Sequence, residues 1–234
     1  MESGVNRCTK QVQAAIMGYF IVFEGIEGCG KTTQISLLGE YLKNRGLRVI
    51  ITREPGGTAI GDEIRKILLN AKNADIAPET ELLLYTASRV QHLQQLITPA
   101  LSAGTMVLCD RFFDATVAYQ GYGEGIDLAL IRQMQKTFFS DIIPDLTILL
   151  DCPVDLGLGR SRRRIKSEGK ESAEGRFEEK ELIFHERVRN GYLEIARMEP
   201  ERFCIINGDQ AAASVHDEIG AAVEQRLKEK GYAI

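Results

Sequence analysis

The stretch Gly25-Ile-Glu-Gly-Cys-Gly-Lys31-Thr32 decides the fold. It matches the pattern GxxxxGK[ST] in full, and it stands between an apolar run, Tyr19–Glu24 (YFIVFE), and a segment with helical periodicity, Lys31–Asn44. Glycines let consecutive backbone N–H groups turn toward an anion, and the following helix directs its positive end at the same point. An ordinary glycine turn is the alternative, and the complete pattern in a strand–turn–helix context disfavours it. The stretch therefore predicts a phosphate-binding loop.

Apolar runs alternate with helix-period segments along the rest of the chain, which is typical of a βαβ fold with a mainly parallel sheet. The predicted strands are Tyr19–Glu24, Leu47–Thr52, Thr105–Asp110, Leu146–Asp151 and Phe203–Asn207. The predicted helices are Lys31–Asn44, Gly61–Leu69, Pro78–Ser102, helical segments up to Phe139, a helix from Val154, Glu178–Met198 and Ala211–Lys228. The fold class is α/β: a P-loop NTPase fold with a parallel sheet flanked by helices and a small mobile lid.

Composition predicts an ordinary soluble domain of 234 residues with a net charge of −4. That charge argues against a general nucleic-acid or anionic-membrane binder, because both interactions favour a basic surface. Five scattered cysteines without CxxC spacing indicate neither a disulfide framework nor a zinc site, so we expect a cytoplasmic protein. We expect residues 1–17 to be a disordered tail or an over-called start, and 18–234 to form one P-loop domain with its lid at about 160–176.

The loop predicts how ATP and a metal ion are held. The expected ATP contacts are Gly25, Ile26, Glu27, Gly28, Cys29, Gly30, Lys31, Thr32 and Thr33. Lys31 has the length to reach the β and γ phosphates, and the Thr32 hydroxyl is a suitable Mg²⁺ ligand. A P-loop alone also fits a GTPase or a motor, but the chain lacks the NKxD motif that reads guanine. Other motifs must decide which group receives the phosphate.

Five further strings carry a family resemblance: Phe23-Glu-Gly-Ile-Glu-Gly, Thr52-Arg-Glu-Pro-Gly-Gly-Thr58, Asp110-Arg111, Ala118-Tyr-Gln-Gly121 and Pro144-Asp-Leu-Thr147. In order and spacing they resemble bacterial thymidylate kinases from about Met17 to the C-terminus. The TREPGGT and DR…AYQG strings are far more specific than the P-loop. The resemblance implies transfer of a phosphoryl group from ATP to dTMP with Mg²⁺, in a homodimer.

Residues at the ends of the predicted strands are candidates for binding the metal ion and the acceptor, the molecule that receives the phosphoryl group. A carboxylate at Asp110 is placed to hold Mg²⁺ through water, and Arg111 to clamp the acceptor phosphate, a role that the resemblance also implies. The resemblance assigns Glu24 to the 3′-hydroxyl of the acceptor sugar and Arg53 to a further acceptor contact. The alternatives are a surface ion pair for Arg111 and solvated charges for Glu24 and Arg53.

The resemblance assigns thymine to two pairs of residues four apart on helical segments, with Tyr119 beside the second pair: Tyr85 with Arg89, and Thr116 with Gln120. Such spacing puts both members of a pair on one helix face, where a ring stacks on a base and an arginine or amide reads its edge. Core packing with a snorkelling arginine is the alternative for the first pair. Tyr85, Ala115 and Glu124 depart from the family's usual Phe, Ser and Arg.

A dense basic run leads into the polar segment Lys166–Gly175 (KSEGKESAEG). Its members are Arg160, Arg162, Arg163 and Arg164, with Lys166 and Arg176 nearby. A solvated face is the usual meaning of such a run. However, the P-loop lacks an arginine, and phosphoryl transfer needs cations around the transferring oxygens. The chain resembles the lid-arginine class, and Arg160 and Arg164 join Lys31 and Arg111 as the expected catalytic residues.

Two other functions stay open from sequence. Another nucleoside monophosphate or deoxynucleoside kinase would share most of these motifs. A non-catalytic P-loop regulator that binds nucleotide and a protein partner is less favoured, because a pure binder has no need of an acceptor-phosphate clamp.

Overall fold

The computed structural model describes residues 18–139, 142–170, 176–177 and 180–233. The expected tail, residues 1–17, and positions 171–175 of the polar segment lie outside these described residues. No helix within the described ranges has both the length and the apolar character needed to cross a membrane.

The centre of the fold is a sheet of five strands that all run parallel, in the order β2-β3-β1-β4-β5. The strands are β1 Phe20–Glu24, β2 Val49–Arg53, β3 Met106–Asp110, β4 Leu146–Asp151 and β5 Phe203–Asn207. Every residue of β1 is buried, as expected for a central strand covered by helices on both faces. The predicted α/β fold with a parallel sheet is confirmed.

Helices cover the sheet. They are α1 Lys31–Lys43, α2 Ala59–Leu69, α3 Pro78–His92, α4 Thr98–Ser102, α5 Phe113–Thr116, α6 Leu128–Phe139, α7 Val154–Ser167, α8 Leu182–Met198 and α9 Ala212–Glu229. The predicted helix Pro78–Ser102 is continuous, but its segment Leu93–Ile97 is π-helical. Pro99 lacks the N–H that would bond to the carbonyl four residues earlier, which explains a local change of winding. A second π-helical segment, Val117–Gly123, follows α5.

Strand register brings the quoted motifs together. Phe23 pairs with Asp110, so β1 and β3 end side by side, and Arg53 at the end of β2 also pairs with Asp110. The loop after β1 packs tightly on α7, since a Cβ added at Gly28 would lie 2.0 Å from the Gly157 carbonyl oxygen. The carboxyl edge of a parallel sheet is where ligands bind in such folds.

Candidate active site

A cavity of about 1230 Å³ opens at the carboxyl edge of the sheet. It is lined by most of the residues that the sequence predicts for the site: Glu27, Gly28, Cys29, Gly30, Lys31, Thr32, Thr33, Arg53, Tyr85, Arg89, Asp110, Arg111, Thr116, Tyr119, Gln120, Arg160 and Arg164. The phosphate-binding loop forms one end, and α3 with the α5 segment forms the other. We call these the donor end and the acceptor end.

Contacts within the loop itself build the donor end. The Lys31 ammonium donates to the carbonyl oxygens of Gly25 (3.0 Å) and Ile26 (2.8 Å), so these two residues lie beneath the lysine rather than on the cavity wall. Gly28 and Gly30 have φ values of 66° and 104°, which only glycine adopts without strain. The result is an ammonium beside a loop of inward-turned amides, which suits phosphate oxygens.

Thr32 and Asp110 meet at the mouth of the loop. The Thr32 hydroxyl donates to Oδ2 of Asp110 at 3.2 Å, and both residues line the cavity. A hydroxyl and a carboxylate oxygen are hard ligands of the kind Mg²⁺ takes alongside water and substrate phosphates. These two side-chain oxygens are therefore suitable ligands for the predicted Mg²⁺ ion.

Arg111 stands between the two ends. Its backbone has φ 69°, a left-handed conformation that costs a non-glycine residue roughly 1–3 kcal/mol. The guanidinium donates to Glu27 (3.2 Å) and to the hydroxyls of Tyr119 (3.0 Å) and Tyr192 (2.9 Å). These bonds hold the head at the cavity wall, so a solvated surface ion pair does not describe Arg111.

Glu27 faces the acceptor side, although the sequence placed it with the ATP contacts. Its carboxylate accepts from the Tyr119 hydroxyl at 2.5 Å and lies 3.4 Å from Nδ1 of His185. Burial would raise its pKa, but His185 and Arg111 outweigh burial and lower the pKa to about 2. A carboxylate inside an anion-binding loop repels phosphate unless it points to another partner. The presence of Glu27 in the GxxxxGK[ST] pattern could therefore have indicated from sequence that its side chain has a different role.

The position of Glu24 corrects the prediction that it binds the acceptor sugar. Glu24 is fully buried and does not line the cavity. Its oxygens accept from the N–H groups of Phe112 (2.8 Å) and Ala115 (3.2 Å) and from the Tyr192 hydroxyl (2.7 Å). Burial, with the nearby Asp114 carboxylate, raises its pKa to about 7. Glu24 fixes the backbone after β3, and Glu27 is the carboxylate that reaches the cavity.

Arg89 anchors the acceptor end. It is 1% exposed and donates to Glu54 Oε2 (2.6 Å), Thr116 Oγ1 (3.0 Å) and the Phe112 carbonyl (2.9 Å). His92 Nδ1 lies 3.0 Å from the other oxygen of Glu54. The snorkelling alternative is therefore wrong for Arg89. Glu54 was missed as a site residue, although it lies inside the quoted TREPGGT string.

The remaining predicted acceptor residues differ in how firmly they are held. Gln120 is buried and donates to Glu81 Oε1 at 2.7 Å, whereas Tyr85 is half-buried on the cavity wall. Arg53 is exposed and reaches Asp62 only at 3.4 Å. Glu124, one of the departures from the family pattern, pairs with Lys180 at 2.7 Å and does not line the cavity.

The basic run divides into two faces of α7. Arg160 and Arg164 line the cavity, and Arg160 donates to the Gly208 carbonyl at 3.1 Å. Arg162 and Arg163 are exposed and are not part of the lining. Arg176 corrects the expected cluster: it is 4% exposed and bonds to Glu81 at the start of α3, far from a solvated basic face.

Comparisons with known proteins show which family the chain resembles. A sequence model of the family described as thymidylate kinase matches residues 23–219. A thymidylate kinase of Geotalea uraniireducens is 53% identical over 91% of this chain and 100% of its own length. One of Geobacter sulfurreducens is 51% identical over 90% of this chain and 99% of its own. The crystal structure of thymidylate kinase from Ehrlichia chaffeensis superimposes with a TM-score of 0.70 at 36% identity, covering 89% of this chain and 99% of that one.

Proposed function

This chain belongs to the thymidylate kinase family, and we propose that it transfers the terminal phosphoryl group of ATP to dTMP, giving ADP and dTDP. The observation that carries the proposal is one continuous cavity with a phosphate-binding loop at one end and a buried arginine–amide pair, Arg89 and Gln120, at the other. A donor and an acceptor held in one cavity are positioned for reaction, and positioning together with electrostatic stabilisation accounts for most of the catalysis in phosphoryl transfer.

The donor end would bind ATP. In our proposal the loop amides and Lys31 hold its β and γ phosphates, and Lys31 exchanges its two carbonyl partners for phosphate oxygens. Thr32 and Asp110 would hold Mg²⁺, with Asp110 acting through water. The ion would neutralise charge on the phosphate oxygens during transfer.

The acceptor end would bind dTMP. Arg111 lines the cavity, and its guanidinium would clamp the acceptor phosphate bidentately. Glu27, ionised at neutral pH, would accept a hydrogen bond from the hydroxyl of the acceptor sugar. The Tyr85 ring would stack on the base, with Arg53 as an outer contact near the opening.

Arg89 and Gln120 would read the edge of the thymine base, with Thr116 holding Arg89 in place, and Tyr119 would hold Arg111 and Glu27. The Thr116 hydroxyl accepts from Arg89, and Tyr119 bridges Glu27 and Arg111. Because Arg89 already pairs with the buried Glu54 carboxylate, its charge is compensated before substrate arrives.

Arg160 and Arg164 would supply the cations that the phosphate-binding loop lacks. Both lie on the cavity-facing side of α7, in the first part of the expected lid at about 160–176. Closure of this lid over ATP would exclude water and suppress hydrolysis.

Three wider features belong to the same proposal: a single kinase domain over 18–234, a homodimer, and a cytoplasmic location. Exposed apolar side chains on the packed helices α2 and α3, Ile60 (57%), Ile67 (46%) and Leu83 (60%), offer a surface for self-association. Light scattering on the purified chain would measure the mass directly.

An ADP-release assay with dTMP, dUMP, dCMP, dAMP and dGMP as acceptors tests the function. We expect dTMP to be phosphorylated far faster than either purine monophosphate. Comparable rates with a purine would support another nucleoside monophosphate kinase. Nucleotide binding without ADP release for any acceptor would support the regulator instead.

A further inference from the structure

Behind the acceptor end lies a buried chain of three polar side chains, Gln120, Glu81 and Arg176. Gln120 Nε2 donates to Oε1 of Glu81 at 2.7 Å, and the other carboxylate oxygen of Glu81 pairs with Nη1 of Arg176. The exposed fractions are 1%, 1% and 4%. Gln120 lines the cavity, whereas Glu81 and Arg176 do not. The buried Glu81–Arg176 pair is therefore connected to the cavity by the side-chain amide of Gln120.

Arg176 is fixed from a second side. Its Nη1 donates to the Leu68 carbonyl at 3.3 Å, at the end of α2, and its Nε to the Asn73 carbonyl at 3.1 Å, in the 3-10 turn that follows α2. A guanidinium only donates hydrogen bonds, so the Glu81 oxygen beside Arg176 is an acceptor. The other Glu81 oxygen accepts from Gln120, so Glu81 acts as an acceptor on both sides.

We infer that the Glu81–Arg176 pair sets the polarity of the Gln120 amide and thereby selects the base. An acceptor on the buried side requires the NH₂ group of Gln120 to point at Glu81, so the carbonyl oxygen is the end left for the cavity. Reversing the amide would place two acceptors face to face between buried side chains, and neither would then have a hydrogen-bond donor.

This inference rests on the proposed function and gives it a chemical basis for discrimination. An inward carbonyl oxygen accepts from a pyrimidine that carries N–H at ring position 3, as thymine and uracil do. Cytosine has an unprotonated nitrogen at that position and would oppose one lone pair with another. Glu81 and Arg176 are positioning residues: neither touches the base, yet together they exclude cytosine.

The substitution Glu81→Gln tests the inference because it has a directional outcome. Arg176 still requires an acceptor, so the oxygen of the new amide turns to Arg176 and its NH₂ turns to Gln120. Gln120 then reverses and presents NH₂ to the cavity. We expect the ratio of kcat/KM for dTMP over dCMP to fall by roughly tenfold or more, and kcat/KM for dCMP to rise in absolute terms. A merely structural role for Glu81 would lower both values together.

A second variant covers the case in which Arg176, left opposite a neutral amide, prevents folding. The double substitution Glu81→Gln with Arg176→Met replaces the buried ion pair by uncharged groups of similar size, which proteins often tolerate. Without a cation to orient the amide introduced at position 81, Gln120 samples both orientations. We therefore expect a dTMP to dCMP ratio between those of the wild type and the single variant.

Two controls separate orientation from other effects. Glu79→Gln makes the same chemical change at an exposed position of α3 and should leave the ratio unchanged. In a Gln120→Ala background, Glu81→Gln should no longer alter the ratio, since the amide it orients is gone. An unchanged ratio in the folded Glu81→Gln protein, or an equal change without Gln120, overturns the inference.

Calorimetric binding of dTMP and dCMP to the same proteins keeps this test independent of catalysis. If the wild type failed to phosphorylate dTMP, the proposed function would fall. The binding ratio of the two nucleotides and its response to Glu81→Gln would still decide whether the pair sets the polarity of Gln120.

Discussion

The donor and acceptor ends of the cavity are stabilised by different kinds of contact. At the donor end Lys31 bonds to carbonyls five and six residues away, inside one loop. At the acceptor end Arg89 bonds to Glu54 and Thr116, which are 35 and 27 residues away, and Arg176 bonds to Glu81 at a separation of 95. The contacts of Lys31 are local, whereas those of Arg89 and Arg176 form only after distant elements have packed.

This difference has a consequence for how substitutions act. A charge removed from the acceptor end leaves its partner buried without compensation, so stability and binding fall together. Removal of the Lys31 charge at the donor end leaves only loop carbonyls with fewer hydrogen-bond donors. We therefore expect kcat to fall and stability to be unchanged. The following predictions test that separation, beginning with the largest effect.

Arg89→Met should lower the free energy of unfolding by about 3–5 kcal/mol, because Glu54 loses its buried counter-ion. Denaturant unfolding measures the change. Arg197→Met, at a 75% exposed side chain paired with Glu194, is the matched control and should change stability by less than about 0.5 kcal/mol. Equal losses in the two variants would show that the acceptor end does not depend on its buried charges.

Lys31→Ala should lower kcat by roughly 10²–10³-fold, because a preorganised cation near the transferring phosphoryl group is lost. The melting temperature should stay close to that of the wild type, since the bonds of Lys31 lie within its own loop. Lys43→Ala at the exposed end of α1 should affect neither quantity. A large loss of stability in Lys31→Ala would contradict the local nature of the donor end.

Glu24 should make stability fall as pH rises from about 4.5 to about 7. Its pKa is raised from 4.5 to about 7 in the folded protein, so its stabilising contribution is complete below pH 4.5 and is lost through pH 7. The shift corresponds to at most about 3 kcal/mol. Denaturant unfolding at pH 5 and pH 8 should show that Glu24→Gln removes this part of the decline.

Glu27 provides the contrast, because its folded-state pKa is lowered to about 2. Its contribution is present above pH 4.5 and is lost only as pH falls toward 2, so Glu27→Gln should not flatten the profile between pH 5 and 8. Equal profiles for the two variants would contradict the assignment of the two carboxylates.

Arg164→Ala should lower kcat by roughly 10- to 100-fold with small changes in KM, if its cation acts mainly in the transition state. Arg163→Ala, one residue earlier on the exposed face of α7, is the control and should retain the kcat of the wild type. Measuring both at two salt concentrations separates this role from electrostatic steering, in which KM would rise and the effect would fade with salt. Wild-type kcat in Arg164→Ala and Arg160→Ala alike would contradict a catalytic lid.

Sequence reasoning succeeded where a structure depends on neighbours along the chain. The five strands, the phosphate-binding loop and the pairs four apart on helices follow from periodicity and local backbone preferences. It could not distinguish the buried Glu24 from Glu27, which lines the cavity and lies three residues further along the chain. Which of them faces the cavity depends on how the chain turns after the strand, and on α8, which brings Tyr192 to Glu24 and His185 to Glu27.

The burial of Arg176 could not be predicted from sequence either. In the sequence it belongs to a basic segment, and composition favours a solvated or lid position. In the structure it is buried against α2 and α3, because Glu81 and two backbone carbonyls supply acceptors that no local pattern announces.

The sequence by itself determined the parallel α/β fold, the donor end and the family to which the chain belongs, because these depend on short strings and regular spacing. Only the tertiary structure decided which carboxylate is buried and which is ionised, which arginines of the basic run reach the cavity, and which groups contact the buried side of the Gln120 amide. Those properties depend on burial and on charges brought together from distant segments, and the free energy of a buried charge is set by its spatial neighbours rather than by its neighbours along the chain.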